Sequence, residues 1–160
     1  TSNLFATGRR WLGEEFSLEN QQNIQIPFPN VVQNEPLKII VRAVGVSGLT
    51  STMKVNVNSQ ELFSLNFSAI SSGSDNLASD RIGSENFSNT SSTVSVLLDY
   101  DNGGNPSARA YLDFIEISGK KQLISDGFQF SFRNFSAANT SGIVEYQIQN
   151  SQNIYQIWEI

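Results

Sequence analysis

The stretch with the most chemistry in it is Asp99-Tyr100-Asp101-Asn102-Gly103-Gly104-Asn105, which gathers four oxygen-bearing side chains of the Asp/Asn type in one short run. A hard cation such as calcium takes about six to eight oxygen ligands, and a loop rich in Asp and Asn can offer several from one turn. Asp99, Asp101, Asn102 and Asn105 are therefore the candidate ligands, and calcium is the cofactor they would hold. A plainer reading competes. Asn102-Gly103 is a strong hairpin signal, because both residue types tolerate positive φ. The sequence leaves both readings open.

Other carboxylates are placed less usefully. Asp113 and Glu116 lie three apart on a predicted strand, so period-two alternation sends them to opposite faces. Glu14 and Glu15 are adjacent and meet the same objection. No pair stands out for the acid/base work of a glycosidase. Cysteine and histidine are both absent, which removes disulfides, thiol nucleophiles, imidazole bases and the usual zinc sites. Trp11, Trp158, Tyr100, Tyr111 and Tyr155 could stack on sugar rings, or pack into a core. Trp11 and Trp158 lie near opposite ends of the chain and are the candidate docking residues for a neighbouring domain. Asn-x-Ser/Thr sequons occur at Asn66, Asn86, Asn89, Asn134 and Asn139, and arise easily by chance in so Asn- and Ser-rich a chain.

The elements that must carry these residues read as strands. Leu37, Ile39, Val41 and Ala43 alternate with Lys38, Ile40 and Arg42. Similar patterns occupy 24–28, 54–58, 62–67, 93–99, 122–124, 127–135, 143–148 and 154–158, with Asn58-Ser59-Gln60 a turn between two of them. Residues 68–92, rich in Ser, Asn, Asp and Gly, read as a long connection with room for one short strand. The spine is the strand around 109–118, where Tyr111, Ile115 and Ile117 face one way and Leu112 and Phe114 the other. Apolar groups on both faces predict an interior strand. Nine or ten short strands without helical periodicity predict an all-β, antiparallel β-sandwich of jelly-roll type, formed by 1–160 as a single domain.

Composition narrows the function classes. A length of 160 residues with 39% hydrophobic content supports one core. The net charge of −5, with no Lys/Arg run longer than two, offers no footprint for nucleic acid. No apolar run approaches the roughly 20 residues of a membrane-spanning helix. The 16% charged content suits a secreted or cell-surface β domain. The opening residues resemble neither a signal peptide nor a natural start, so a piece of a longer chain is expected.

Gly8-Arg9-Arg10-Trp11-Leu12-Gly13-Glu14-Glu15-Phe16 resembles a stretch upstream of the peptidase domain in the type IX secretion system sortase (PorU) family. The similarity continues through the turn Asn58-Ser59-Gln60 and through 105–117, where Tyr111-Leu112-Asp113-Phe114-Ile115 matches a family strand. It extends to 129–133 and to Ile157-Trp158-Glu159-Ile160. Departures are Ser59 in place of a usual Gly, and Glu159-Ile160 in place of Asp-Val. The resemblance implies a gingipain-type cysteine peptidase at the outer-membrane surface of Bacteroidetes, which trims C-terminal sorting domains from cargo and joins the cargo to lipopolysaccharide. The family's catalytic Cys and His fall downstream, so this chain would be its non-catalytic β domain. Implied partners are the adjacent peptidase domain, cargo C-terminal domains and an outer-membrane secretion partner. A carbohydrate-binding jelly-roll module is the alternative, and a hydrolase assembled from distant carboxylates is a third.

Overall fold

The computed structural model describes residues 11–74, 76–125 and 129–158. The chain divides into two compact units, 1–120 and 121–160. The sequence predicts one sandwich over 1–160, whereas every strand of the described residues lies in the first unit. These strands are β1 (Glu15–Phe16), β2 (Gln21–Pro27), β3 (Leu37–Val46), β4 (Ser51–Val57), β5 (Gln60–Phe67), β6 (Ser79–Phe87), β7 (Thr93–Asp101) and β8 (Arg109–Ser118).

They form two four-stranded sheets, ordered β1-β8-β3-β6 and β2-β7-β4-β5, with antiparallel pairing throughout. Successive strands cross from one sheet to the other at every step except the β4–β5 hairpin, which is jelly-roll topology. The all-β antiparallel sandwich expected from alternation is thus the fold. Pro27 ends β2, an edge strand, where its missing N–H costs no ladder bond.

The core follows from the alternation. Leu37, Ile39, Val41 and Ala43 of β3 face Met53, Val55 and Val57 of β4 and Val94, Val96, Leu98 and Tyr100 of β7, all nearly or fully buried. Each large aliphatic among them contributes about 1.5–3 kcal/mol by leaving water. Two glycines let the sheets close. A Cβ on Gly45 would lie 2.5 Å from Phe67 Cγ, and one on Gly83 would lie 2.6 Å from Phe63 Cε2. Asn58 and Ser59 form the two-residue turn between β4 and β5 with φ of 49° and 70°, the left-handed pair that matches strand twist.

Four expectations need correction. The 68–92 connection contains β6, a strand of nine residues rather than a short one. Its sequence, Ser-Asp-Arg-Ile-Gly-Ser-Glu-Asn-Phe, hides it, because an edge strand can bury little and still pair along its length with β3. The Asp99–Asn105 stretch is not all loop, since β7 runs on through Asp101.

The spine also faces differently than strict alternation requires. Arg42 pairs with Phe114 and Ala43 with Leu112, so Asp113 is an extra, bulged residue. A bulge reverses the parity of everything beyond it. Leu112, Ile115 and Ile117 therefore join the core, while Tyr111 and Phe114 belong to the outer face. The strand is interior, between β1 and β3, as expected.

Last, the segments 122–124, 129–135, 143–148 and 154–158 form no strand ladder; Gly127 and Phe128 lie outside the described residues. A single parallel bridge joins Ile124 to Gln149. Phe130, Phe132 and Tyr146 touch through their rings, at 6.3 Å and 5.1 Å between centroids.

Candidate functional site

The candidate cation ligands sit at the end of β7 and in the turn that follows. Asp99 and Asp101 point to solvent and Tyr100 between them points inward, as period two requires. Asp99 accepts a hydrogen bond from Gln21 Nε2 at 3.1 Å. Asp101 Oδ1 accepts from the Gly103 N–H at 2.9 Å, and Asn102 Oδ1 from the Gly104 N–H at 2.9 Å. Asn105 Oδ1 takes the Ser107 N–H at 3.0 Å, while its Nδ2 donates to Ser47 Oγ at 3.1 Å. These are consecutive Asx turns, in which side chains supply the hydrogen bonds that an irregular backbone lacks. Gly103 and Gly104 have φ of 63° and 80°, so the chain reverses where side chains would be strained. A groove of about 450 Å³ beside the turn is lined by Leu18, Asn20, Asp99, Asp101, Asn102 and Pro106. Among the described residues, no three acidic, His or Cys side chains stand close enough together to share a metal ion.

Tyr100 is a titratable group that the fold perturbs. Its Oη and Ser51 Oγ are both buried and neither reaches full hydrogen-bond geometry. Burial raises its pKa above the ordinary 10.0, the neighbouring Ser51 hydroxyl offsets part of this, and the Asp101 carboxylate adds to the rise.

The bulge changes the reading of Asp113 and Glu116. They share the outer face instead of facing apart, because the extra residue restores their parity. Asp113 lies 3.7 Å from Arg42 Nε, and Arg42 also holds Asp80 through two bonds of 2.6 Å and 3.2 Å. Arg42 thus ties β8 to β6 across β3. Its partners are far away in sequence, and spacing gives no sign of them. Beside this network Leu12, Val44 and Tyr111 form a small second cluster on the outer face, with Val46 and Ala78 packed against it.

That cluster explains the opening motif. Gly13 N–H donates to Leu112 O at 2.8 Å, and Leu112 N–H donates to Glu14 O at 3.0 Å. Glu15 pairs with Tyr111 and Phe16 with Ala110, and the Glu15 carboxylate meets Arg109 at 3.2 Å. The described part of the motif, Trp11–Phe16, therefore runs alongside Tyr111-Leu112 of β8. Residues 8–10 lie outside the described residues.

Of the candidate stacking aromatics, Tyr100 and Tyr111 are buried and present no face to a sugar. Trp11 is 62% exposed, and in the second unit Tyr155 and Trp158 are exposed as well. Asn89 of the sequons is buried, its side chain bonded to Asn58 and Ser91.

Comparison with known proteins gives a fold and no more. No family model matches the chain, and no curated protein matches it. Dimeric latent PorU from Porphyromonas gingivalis superposes with a TM-score of 0.67 at 23% identity, over 80% of this chain and 12% of that one. The sandwich shares its fold with part of PorU. Carbohydrate-binding module CBM36, solved with calcium and xylotriose, superposes at a TM-score of 0.44 and 18% identity over 65% of this chain and 78% of the module. The CBM36-1 domain of a xylanase from the hindgut metagenome of Trinervitermes trinervoides gives 0.46 and 10%, over 66% and 77%. This chain spans about an eighth of the PorU chain it resembles.

Proposed function

We propose that this chain is the non-catalytic β-sandwich domain of a cell-surface cysteine peptidase of the type IX sortase kind. Its task is to position the peptidase domain, or to hold cargo and secretion partners for it. The observation that carries the reading is the pairing of two motif segments, Trp11–Phe16 and Tyr111–Ile115, within a jelly roll of PorU fold. Paired motifs of this kind serve architecture: their side chains fill the small outer cluster and the Glu15–Arg109 pair rather than line a reaction centre. The chain's lack of cysteine and histidine supports a supporting role, with the nucleophile carried elsewhere in the polypeptide. Placement at the outer-membrane surface belongs to the same proposal.

The test is the parent polypeptide. Sequencing it by mass spectrometry and labelling its active cysteine with an electrophilic peptide probe should reveal a Cys/His peptidase domain after Ile160. A parent with no such domain overturns the proposal.

A further inference from the structure

The two sides of the sandwich, where sheet edges meet, are finished differently. On the β5–β6 side, Arg81 donates to Asn66 O at 2.8 Å and to Ser68 Oγ at 2.7 Å, and the Ser68 N–H donates to Ser79 Oγ at 3.0 Å. β5 is also bulged at Leu62, and the edge strand β2 ends in Pro27. Side-chain cover, bulges and prolines all discourage a further strand. β8 lacks such a guard along part of its outer edge. β1 covers Ala110 and Tyr111, and Gly13 and Glu14 bond to Leu112. At the far end the Val32 N–H donates to Lys120 O at 3.1 Å. Between these, Phe114–Ser118 pairs with β3 on one side and, among the described residues, has no backbone partner on the other. Ile24 and Ile26 of β2 and Ile115 and Ile117 of β8 pack against the core there but stay only partly buried, whereas Val41 and Leu98 are fully buried. On the outer face Glu116 is exposed, with no ion-pair partner among the described residues.

We propose that Phe114–Ser118 is a docking edge for an extended segment of a second protein, which adds to β8 antiparallel and in line with β1. β1 shows the direction in which a strand seats on this edge. The gap is roughly 17 Å long, at about 3.3–3.4 Å per residue. Directly paired residues share a face, so the partner must place apolar side chains opposite Ile115 and Ile117, where they complete the cover over Ile24 and Ile26. Its residue between those two faces outward opposite Glu116, and charge complementarity makes it Lys or Arg. Main-chain bonds to the open edge supply affinity, and the alternating side chains supply selectivity. The proposal rests on the sandwich alone and stands or falls separately from the peptidase reading.

The test uses the 160-residue chain and a fluorescent, end-blocked peptide Thr-Val-Lys-Val-Thr, with binding followed by anisotropy and amide hydrogen exchange. Saturable binding is expected, with slowed exchange confined to amides within 114–118. A probe N-methylated along its backbone should not bind, because it cannot join the ladder. Glu116→Lys lies on an exposed position and should weaken the lysine probe about threefold to tenfold. The same variant should bind Thr-Val-Glu-Val-Thr better than the parent chain does. No binding at millimolar probe, equal binding of the N-methylated probe, or protection at another edge overturns the proposal. So does indifference to the charge swap, or protection of these amides in the free chain, whether by its own residues 1–10 or by a second copy.

Discussion

Residues 1–120 and 121–160 use the same alternation of apolar and polar side chains, yet among the described residues it yields sheets in the first unit alone. In the first, each inner face meets another: Val41 and Leu98 find opposing side chains and lose all contact with water. In the second, Phe135, Tyr155, Ile157 and Trp158 remain largely exposed. Alternation decides which side chains share a face. It does not supply the face they must be buried against, and isolated strand pairs are marginal in water.

Truncation should separate the two regions most sharply. Leu98→Ala should cost about 2–5 kcal/mol by opening a cavity in a core that cannot collapse around it. Ile157→Ala, at 71% exposure, should stay within about 0.5 kcal/mol. Urea unfolding of both variants measures the contrast, and equal losses would break it. The glycine contacts come next. Gly83→Ala should cost about 1–3 kcal/mol, because Phe63 must leave its place between the sheets. Gly142→Ala, with open space around its Cβ but a φ of 125°, should lose stability through backbone strain alone.

The alkaline limit of the first unit should depend on Tyr100. Its pKa is raised in the folded chain, mainly by burial. Below pH 10 both folded and unfolded chains keep the phenol proton, and this group leaves stability unchanged. Above it the unfolded chain ionises first, so stability falls as pH rises. Tyr100→Phe should flatten the decline of thermal midpoint above pH 10 and leave stability at pH 7 within about 1 kcal/mol of the parent chain. The smallest effect should be a gain. Ser59 holds a φ of 70° where glycine would sit without strain, so Ser59→Gly should add roughly 0.5–1 kcal/mol in a urea titration.

Much of the sandwich was legible because its buried strands advertise themselves. β3 and β7 alternate so regularly that their inward residues could be named in advance. The β4–β5 turn was readable from Asn58-Ser59. β6 was not, because an edge strand whose residues are mostly polar looks like the connection it interrupts. The bulge at Asp113 left no local mark either. It shows only in the pairing with β3, where Arg42 meets Phe114 and Ala43 meets Leu112, and it puts Tyr111 and Phe114 on the outer face together. At the candidate cation turn, residue types alone could not separate ligand oxygens from turn acceptors. The hydrogen bonds of Asp101, Asn102 and Asn105 record how those atoms are used in this structure.

By itself, then, the sequence determined the fold class, the inner faces of β3 and β7, and that these 160 residues carry no thiol or imidazole, since these follow from residue type and period two. The tertiary structure decided strand partners, the parity of β8, the Arg42–Asp80–Asp113 network and which alternating segments became sheet. Each of those depends on groups distant along the chain, and their meeting is settled by packing and hydrogen bonding in three dimensions.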